Sequence, residues 1–278
     1  MRFWLALAFQ PPHELIPLAR AAEGAGYHGV TLSDHLLHPR DLRSPYPYSK
    51  DGTPPFDADT PWPDPWVAIA AMAAVTERLR FTTNVYVAAA RDVFTVAKTV
   101  ATAAVLSNGR VALGTAAGWM REEFELTGRD FDRRGRTLDE TIQALRLLWW
   151  GDFVEFEGDH LRFPSLKISP APADPIAIYV GGESEAALRR AATLGDGWIG
   201  NAQSLEAALL LAARLRTMRE REGPFEVIVP LITRPAPDIY RRAEDGGVTG
   251  IITRPWRDDA TLEAKVAGIA GFTEAVGA

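Results

Sequence analysis

RFTTNVYVAAARDVFTVAKTVATAAVLSNGRVALGT, residues Arg80 to Thr115, is the stretch that decides the fold class. Its opening, Arg80 to Val87, is a β-branched and aromatic run that reads as a strand. Asp92 stands where a small polar residue caps a helix, the helix runs from Asp92 to Ser107, and Asn108 with Gly109 supplies the left-handed close. A second apolar run, Arg110 to Thr115, follows at once. Strand, helix and strand in that order form a βαβ unit, which requires a parallel sheet.

The same unit recurs in both directions from this stretch. Strands are expected at Arg2 to Phe9, His28 to Ser33, Ile176 to Val180, Gly197 to Asn201, Phe225 to Ile232 and Gly247 to Thr253. Helices are expected at His13 to Gly24, Asp64 to Arg78, Arg136 to Trp150, Ser184 to Leu194, Ser204 to Arg221, Asp238 to Glu244 and Asp258 to Val276. Asp64 and Ser184 are further caps, and Gly24 with Gly26, Gly195 with Gly197 and Gly246 with Gly247 are further returns. Eight strand–helix pairs are the count of a (β/α)8 TIM barrel, so residues 1–278 read as one barrel domain. An open doubly wound sheet would favour G-x-G-x-x-G after its first strand, where this chain has AFQPPHEL.

Composition narrows the chemistry. With no cysteine there is no disulfide, thiolate-bound metal or thiol nucleophile, and the histidines show no ligand spacing, so no metal is assigned. A net charge of −6 and the lack of a basic stripe argue against nucleic acid. The densest basic patch, Arg133, Arg134 and Arg136, sits among acids and reads as solvated surface. The apolar start MRFWLALAF is broken by Gln10 and two prolines, and no later run suits a membrane span, so a cytoplasmic chain without a membrane partner is expected. Small apolar faces in AIAAMAAV and TVATAAVL suggest helix pairing in a homodimer, with burial inside one chain as the competing reading.

Two connections exceed what a minimal barrel needs, and long ordered loops in compact domains are usually functional. Leu36 to Pro63 leaves the C-terminal rim after strand two, where barrel active sites lie. Its aromatics and those beyond it, Tyr46, Tyr48, Trp62 and Trp66, are expected to roof a pocket, with Tyr86 beside them. Phe153 to Pro175, inserted before strand five, alternates about EGD and reads as a β-hairpin. At the end of strand two, TLSDHLL puts Asp34 and His35 on the catalytic rim, where imidazole can act as acid or base; a loop cap and a structural hydrogen bond is the plainer reading. Gly181-Gly182-Glu183-Ser184 allows close backbone approach and opens a helix, as a phosphate site or as an ordinary capped turn.

SDH after strand two, TERLRFTTNVYVAAARD, GRVALGTAAGWMREEFELTG and IYVGGESEAALRRAATLGDGW together resemble the bacterial luciferase-like monooxygenase family, especially its F420-dependent branch, over roughly Met1 to Asn201. The resemblance implies a TIM barrel with an insertion before strand five and a deazaflavin coenzyme, F420, with FMN as the alternative. It implies that His35 is the active-site histidine, Asp34 its cofactor-contacting neighbour, and Asn84-Val85 a non-prolyl cis peptide under the ring. Thr115 to Trp119, including Gly118, would line the cofactor, and Gly181 to Ser184 would take its phosphate. Flavin-using luciferases place an arginine near the position of Ala117, which leans the reading toward deazaflavin.

The expected function is therefore hydride transfer to or from a small, largely apolar organic molecule such as an enone, imine or alcohol. An FMNH2-dependent monooxygenase is the runner-up, and a cofactor-binding protein without turnover is a third reading. A carboxylate hydrolase would need a second facing acid beside Asp34. Arg234, Arg254 and Trp256 are suspected rim residues in the less informative C-terminal third.

Overall fold

The computed structural model describes residues 1–276, so the last two positions of the expected domain lie outside the described residues. Eight strands close a barrel in the order β1 (Arg2–Ala6), β10 (Gly250–Thr253), β9 (Glu226–Pro230), β8 (Gly197–Ile199), β7 (Ala177–Gly181), β4 (Val111–Thr115), β3 (Arg80–Thr83), β2 (Gly29–Leu32). Every neighbouring pair is parallel, including β1 with β2, which completes the ring. The TIM barrel read from the βαβ repeat is thus the observed fold, and each expected barrel strand is present.

Helices α1 (Leu15–Gly24), α2 (Pro65–Ala73), α3 (Val93–Leu106), α5 (Arg134–Leu148), α6 (Glu185–Leu194), α7 (Leu205–Met218), α8 (Pro237–Asp245) and α9 (Leu262–Val276) accompany the strands. Their caps follow side-chain chemistry. Asp64 accepts from the Trp66 and Val67 amides, Asp92 from Thr95, Ser184 from Ala187 and Ser204 from Ala207, each satisfying helix-start donors that would otherwise face water alone. Helix α2 stops at Ala73, short of the expected Arg78, because the next amides have a better acceptor. Glu23 Oε1 takes the N–H groups of Glu77, Arg78 and Leu79 at 2.9, 2.6 and 2.8 Å. Buried Arg110 closes the same end, donating to the carbonyls of Ala73, Leu79 and Ser107 at 2.7–2.9 Å.

One short helix, α4 (Arg121–Leu126), has no counterpart in the sequence reading; six residues rich in glutamate carry too little periodicity. The insertion before the fifth barrel strand is the expected hairpin, β5 (Val154–Glu157) with β6 (Arg162–Leu166), antiparallel. Its turn is fixed by Glu140 of α5, whose carboxylate accepts from the Asp159, His160 and Leu161 amides.

The core has two compartments. Trp4, Ala112, Tyr179, Ile199, Ile228 and Ile252 fill the barrel, and a larger cluster lies between strands and helices. Each fully buried side chain of Leu or Ile size contributes about 1.5–3 kcal/mol. The small residues expected at a dimer contact belong to this second layer: Ile69, Met72 and Ala73 of α2 and Val96, Ala97, Val100 and Ala104 of α3 are buried within the chain. The exposed large hydrophobic residues on those helices are Val67, Val105 and Leu106, and Ala71 is exposed as well. Among the described residues no helix is long and apolar enough to cross a membrane.

At the N-terminal end of the barrel His28 packs its ring edge-on against Trp4, 4.9 Å between centroids. Burial, then the charges of Arg2 and Arg80, push its pKa from 6.5 down to about 4. Between these two values the unfolded chain binds a proton that the folded chain refuses, so stability falls as pH drops from about 6.5 to about 4. His28→Leu should remove this component, worth about 1–2 kcal/mol after solvent screening. Denaturant midpoints of wild type and variant, compared at pH 7 and pH 4, measure it; parallel losses in both proteins would contradict it.

Candidate functional site

Loops at the C-terminal rim enclose a cavity of about 890 Å³. The ends of β2, β3, β4 and β7 bring Asp34 and His35, Asn84 and Val85, Gly118 and Trp119, and Gly181 to Ser184 to its wall. Tyr46, Tyr48, Phe56 and Trp62 come from the long loop after β2, as expected of a roof. Three expected residues are elsewhere. Trp66 is 1% exposed and packs edge-on to Tyr86, which is itself buried with the Arg91 guanidinium 4.2 Å over its ring. Thr115 is fully buried and donates its hydroxyl to the Tyr86 carbonyl at 2.8 Å. Thr115 and Tyr86 turn away from the cavity because they alternate to the helix-facing side of the rim, and Trp66 because the Asp64-capped start of α2 buries its ring.

The His35 side chain is 9% exposed and sits among aromatic rings. Its ring lies 5.0 Å from Phe56, 4.9 Å from Trp62 and 5.6 Å from Trp119, centroid to centroid. Nδ1 is 3.2 Å from Glu123 Oε1, and the same oxygen accepts the Leu36 amide at 2.7 Å. The Glu123 side chain is 2% exposed. Facing an ionised carboxylate, Nδ1 of the neutral imidazole carries the hydrogen, so Nε2 is left as the acceptor. The sequence reading does not single out Glu123; its legible signal is the pair of adjacent acids that follows WMR, Glu122-Glu123.

The neighbouring acid, Glu122, fixes the loop that carries the aromatic roof. It accepts from the Arg43 and Ser44 amides at 2.7 and 3.1 Å and from the Ser44 hydroxyl at 2.7 Å. Burial alone would raise its carboxyl, but these bonds hold it below the ordinary glutamate value. Phe9 completes the aromatic wall from the end of β1, 5.3 Å from Trp62 and 6.1 Å from Phe56. Its φ of +62° is rare for an aromatic residue and is sustained by this packing.

Asp34 occupies the rim but its carboxylate is committed to the protein. Arg91 grips it in bidentate fashion, both bonds 2.8 Å, and the Val87 amide donates at 3.1 Å. Burial pushes the carboxyl up against the pull of Arg91 and the Val87 amide; three converging donors match the ionised form. This carboxylate, expected to contact a cofactor, forms an internal ion pair that holds the rim. Beside it the Asn84-Val85 peptide is cis, with Ser33 Oγ donating to the Asn84 carbonyl at 3.0 Å.

On the opposite wall, Gly182 has a φ of +105°, and a Cβ on Gly181 would meet Val85 at 2.9 Å. The turn is held by Trp198 Nε1, which donates to the Gly182 carbonyl at 2.8 Å, and Glu183 accepts from Gln203 at 2.6 Å. Of the suspected C-terminal residues, Arg254 pairs with Asp258 and Trp256 packs against the core; neither they nor Arg234 line this cavity. Among the described residues no cluster of His, Asp and Glu could hold a metal ion.

A closed parallel barrel with its cavity at the strand C-termini, floored by a cis peptide, defines a TIM-barrel enzyme scaffold. The chain belongs to the luciferase-like monooxygenase family, which it matches over residues 2–243. An uncharacterized protein of Mycobacterium tuberculosis is 39% identical over 285 residues, 99% of each chain. The F420-dependent glucose-6-phosphate dehydrogenase of Nakamurella multipartita is 34% identical over 218 residues, covering 76% of this chain and 59% of that one. Two solved structures share the fold over 99% of this chain and 98% of theirs. They are an F420-dependent secondary alcohol dehydrogenase in complex with an F420-acetone adduct (TM-score 0.77, 15% identity) and monooxygenase RslO1 from Streptomyces bottropensis (TM-score 0.75, 18% identity).

Asp34→Asn should leave Arg91 with a buried, uncompensated charge and cost about 3–5 kcal/mol, whereas Asp34→Asn with Arg91→Met should recover most of it. Equilibrium urea unfolding of the three proteins checks this, and equal stability of wild type and the single variant would refute it.

Proposed function

We propose that this protein is an oxidoreductase using coenzyme F420 for hydride transfer to or from a small, largely apolar organic substrate. The observation that carries the reading is His35, pinned through Nδ1 by buried Glu123 and enclosed by Phe56, Trp62 and Trp119. An oriented imidazole, largely buried among aromatic rings, is equipped to move one proton.

The residues present fit a flavin-type group. The volume suits a cofactor with room for a small substrate, and the Gly181-Gly182 backbone borders the cavity without side chains, packed so closely that a Cβ would meet Val85 or Ala187 at 2.9 Å. When bound, F420 supplies the carbon that gives or takes the hydride. The chain supplies the rest. His35 Nε2 gives a proton to the substrate heteroatom in reduction, or takes one in oxidation, while Glu123 stabilises the charged imidazole. Gly181 to Ser184, at the positive end of α6, would hold the phosphate of the bound group. Asn84 and Val85 would contact its ring, and the aromatic wall would favour apolar substrates such as an enone, imine or alcohol.

F420 is preferred to FMN on two grounds: the F420-dependent relatives, and Ala117 in the cavity wall where flavin-using luciferases carry an arginine. The shared fold does not separate the two, since F420-dependent and monooxygenase neighbours superpose about equally. Fluorescence titration with F420 and with FMN tests this choice; tighter binding of FMN would replace the hydride-transfer reading with the FMN-dependent one. A homodimer is part of the proposal, through exposed Val67, Val105 and Leu106, and a monomeric mass by light scattering would remove it.

His35→Ala should lower the rate of single-turnover hydride transfer by roughly 10²–10⁴ with cofactor saturated. His35→Asn should keep a hydrogen bond to Glu123 and recover folding stability but not rate. Equal transfer rates in wild type and His35→Ala would end the proton-carrier role.

A further inference from the structure

The rings around His35 stand in three nearly perpendicular planes. Trp119 lies at 86° to His35 and Tyr46 at 81° to Trp119, while Tyr46 is at 85° to Phe56, whose plane is 40° from that of His35. Trp62 adds a wall at 88° to His35, and Phe9 meets Trp62 at 79°. All five of these aromatic side chains border the cavity. Planes at right angles form the corner of a box, where a small ligand group can meet more than one ring face.

Those faces carry no cation of the protein. Guanidinium groups cover Phe81, Tyr86, Phe131 and Phe225, but among the described residues none lies over Phe9, Tyr46, Phe56, Trp62 or Trp119. The fixed charge on this side is negative. Asp34 and Arg91 cancel, which leaves Glu123, 3.2 Å from His35 Nδ1 and with no lysine or arginine partner among the described residues. A second carboxylate, Glu183, borders the same cavity with the neutral Gln203 amide as its partner, and burial raises its carboxyl against that bond. Tyr48 connects it to the chamber: Tyr48 packs edge-on to Tyr46 at 5.4 Å, and burial, then the charge of Glu183, raise its pKa. The arginines of the wall are engaged elsewhere. Arg43, Arg121 and Arg190 have carboxylates of their own, and Arg134, half-buried rather than solvated, lies over Phe131.

We propose that the chamber selects a substrate with a cationic nitrogen, so that the couple turned over is an imine and its amine rather than a ketone or enone and its reduced form. This narrows the F420 reading above and rests on it. Electron-rich ring faces and a carboxylate without a fixed cation attract positive charge, and they disfavour the negative charge that grows on a carbonyl oxygen as hydride arrives. In reduction the imine nitrogen takes the proton of His35 Nε2 and becomes an iminium. Hydride from the reduced deazaflavin then adds to carbon, the C=N π pair stays on nitrogen as its lone pair, and the coenzyme's ring proton goes to solvent. Neutral His35 regains its proton from solvent. Oxidation of the amine reverses these steps, with hydride leaving carbon for the oxidised deazaflavin and the proton going to Nε2.

N-methylpyridinium is a planar C=N cation, and toluene is its neutral isostere. Ligand-observed NMR titrations of the full chain, alone and with oxidised F420 added, give a dissociation constant for each. Wild type should hold the pyridinium about tenfold or more tightly than toluene. Trp119→Leu should shrink that ratio about fivefold or more, and Trp119→Phe, a weaker ring face, should give an intermediate ratio and serves if the leucine variant does not fold. Glu183→Gln should weaken the pyridinium alone, leaving toluene within about twofold of wild type. Equal affinities in wild type, binding of neither compound, or a ratio that none of the three substitutions lowers overturns the proposal. If F420 binds and the preference is absent, the chamber takes neutral substrates and this proposal alone falls. If the preference holds and F420 does not bind, cation selection stands and the hydride-transfer reading falls.

Discussion

Two adjacent carboxylates on one short helix hold this site together. Glu122 and Glu123 of α4 reach back to a loop about 80 residues earlier in the chain, one to Arg43 and Ser44, the other to Leu36 and His35. The loop after β2 is long and rich in proline, and it has little regular structure with which to satisfy its own amides. The carboxylates supply acceptors in its place. Because one oxygen of Glu123 serves both the Leu36 amide and the His35 ring, positioning the loop and orienting the imidazole are a single event. The aromatic roof that the loop carries then closes over a histidine whose tautomer is already set.

The remaining charges of the rim follow the same economy. Asp34 and Arg91 neutralise each other in a pair whose side chains are 2% and 9% exposed, adding the Val87 amide, so the β2 and β3 ends are locked together beside the cis peptide. Ser33 bonds the carbonyl of that peptide from the adjoining strand. Two charges in the wall have no opposite charge bonded to them among the described residues, Arg134, held by carbonyls, and Glu183, held by Gln203, and Nε2 of His35 has no protein partner on the chamber side. A framework of paired charges therefore presents one basic nitrogen, one guanidinium and the Glu183 carboxylate to the cavity.

The barrel was legible because each βαβ unit carries its own punctuation. Asp64, Asp92 and Ser184 cap in the structure as their sequence positions suggest, and Asn108-Gly109 returns the chain with positive φ at both residues. The placement of His35, Asn84 and Gly181 at strand ends follows from that frame. Their partners were not legible, because Glu123 and Arg91 lie 88 and 57 residues away from theirs and pair across different loops. Strand-end alternation was misjudged at Thr115 and Tyr86, where the rim twists the side chains outward, and at Trp66, where a capped helix start buries the ring. Arg134 looked solvated because the acids next to it in sequence, Asp130 and Asp132, bind Arg133 and Arg121 instead.

The central claim is that Glu123 sets the protonation geometry of His35, and the direct measurement is the ¹⁵N spectrum of the imidazoles in protein labelled at histidine, assigned with His35→Gln. Neutral His35 should show a pyrrole-type Nδ1 and a pyridine-type Nε2, and Glu123→Ala should abolish this preference while the other histidines keep theirs. A hydrogen on Nε2 in the wild-type protein, or an Nδ1–H form that survives loss of the carboxylate, would contradict the account.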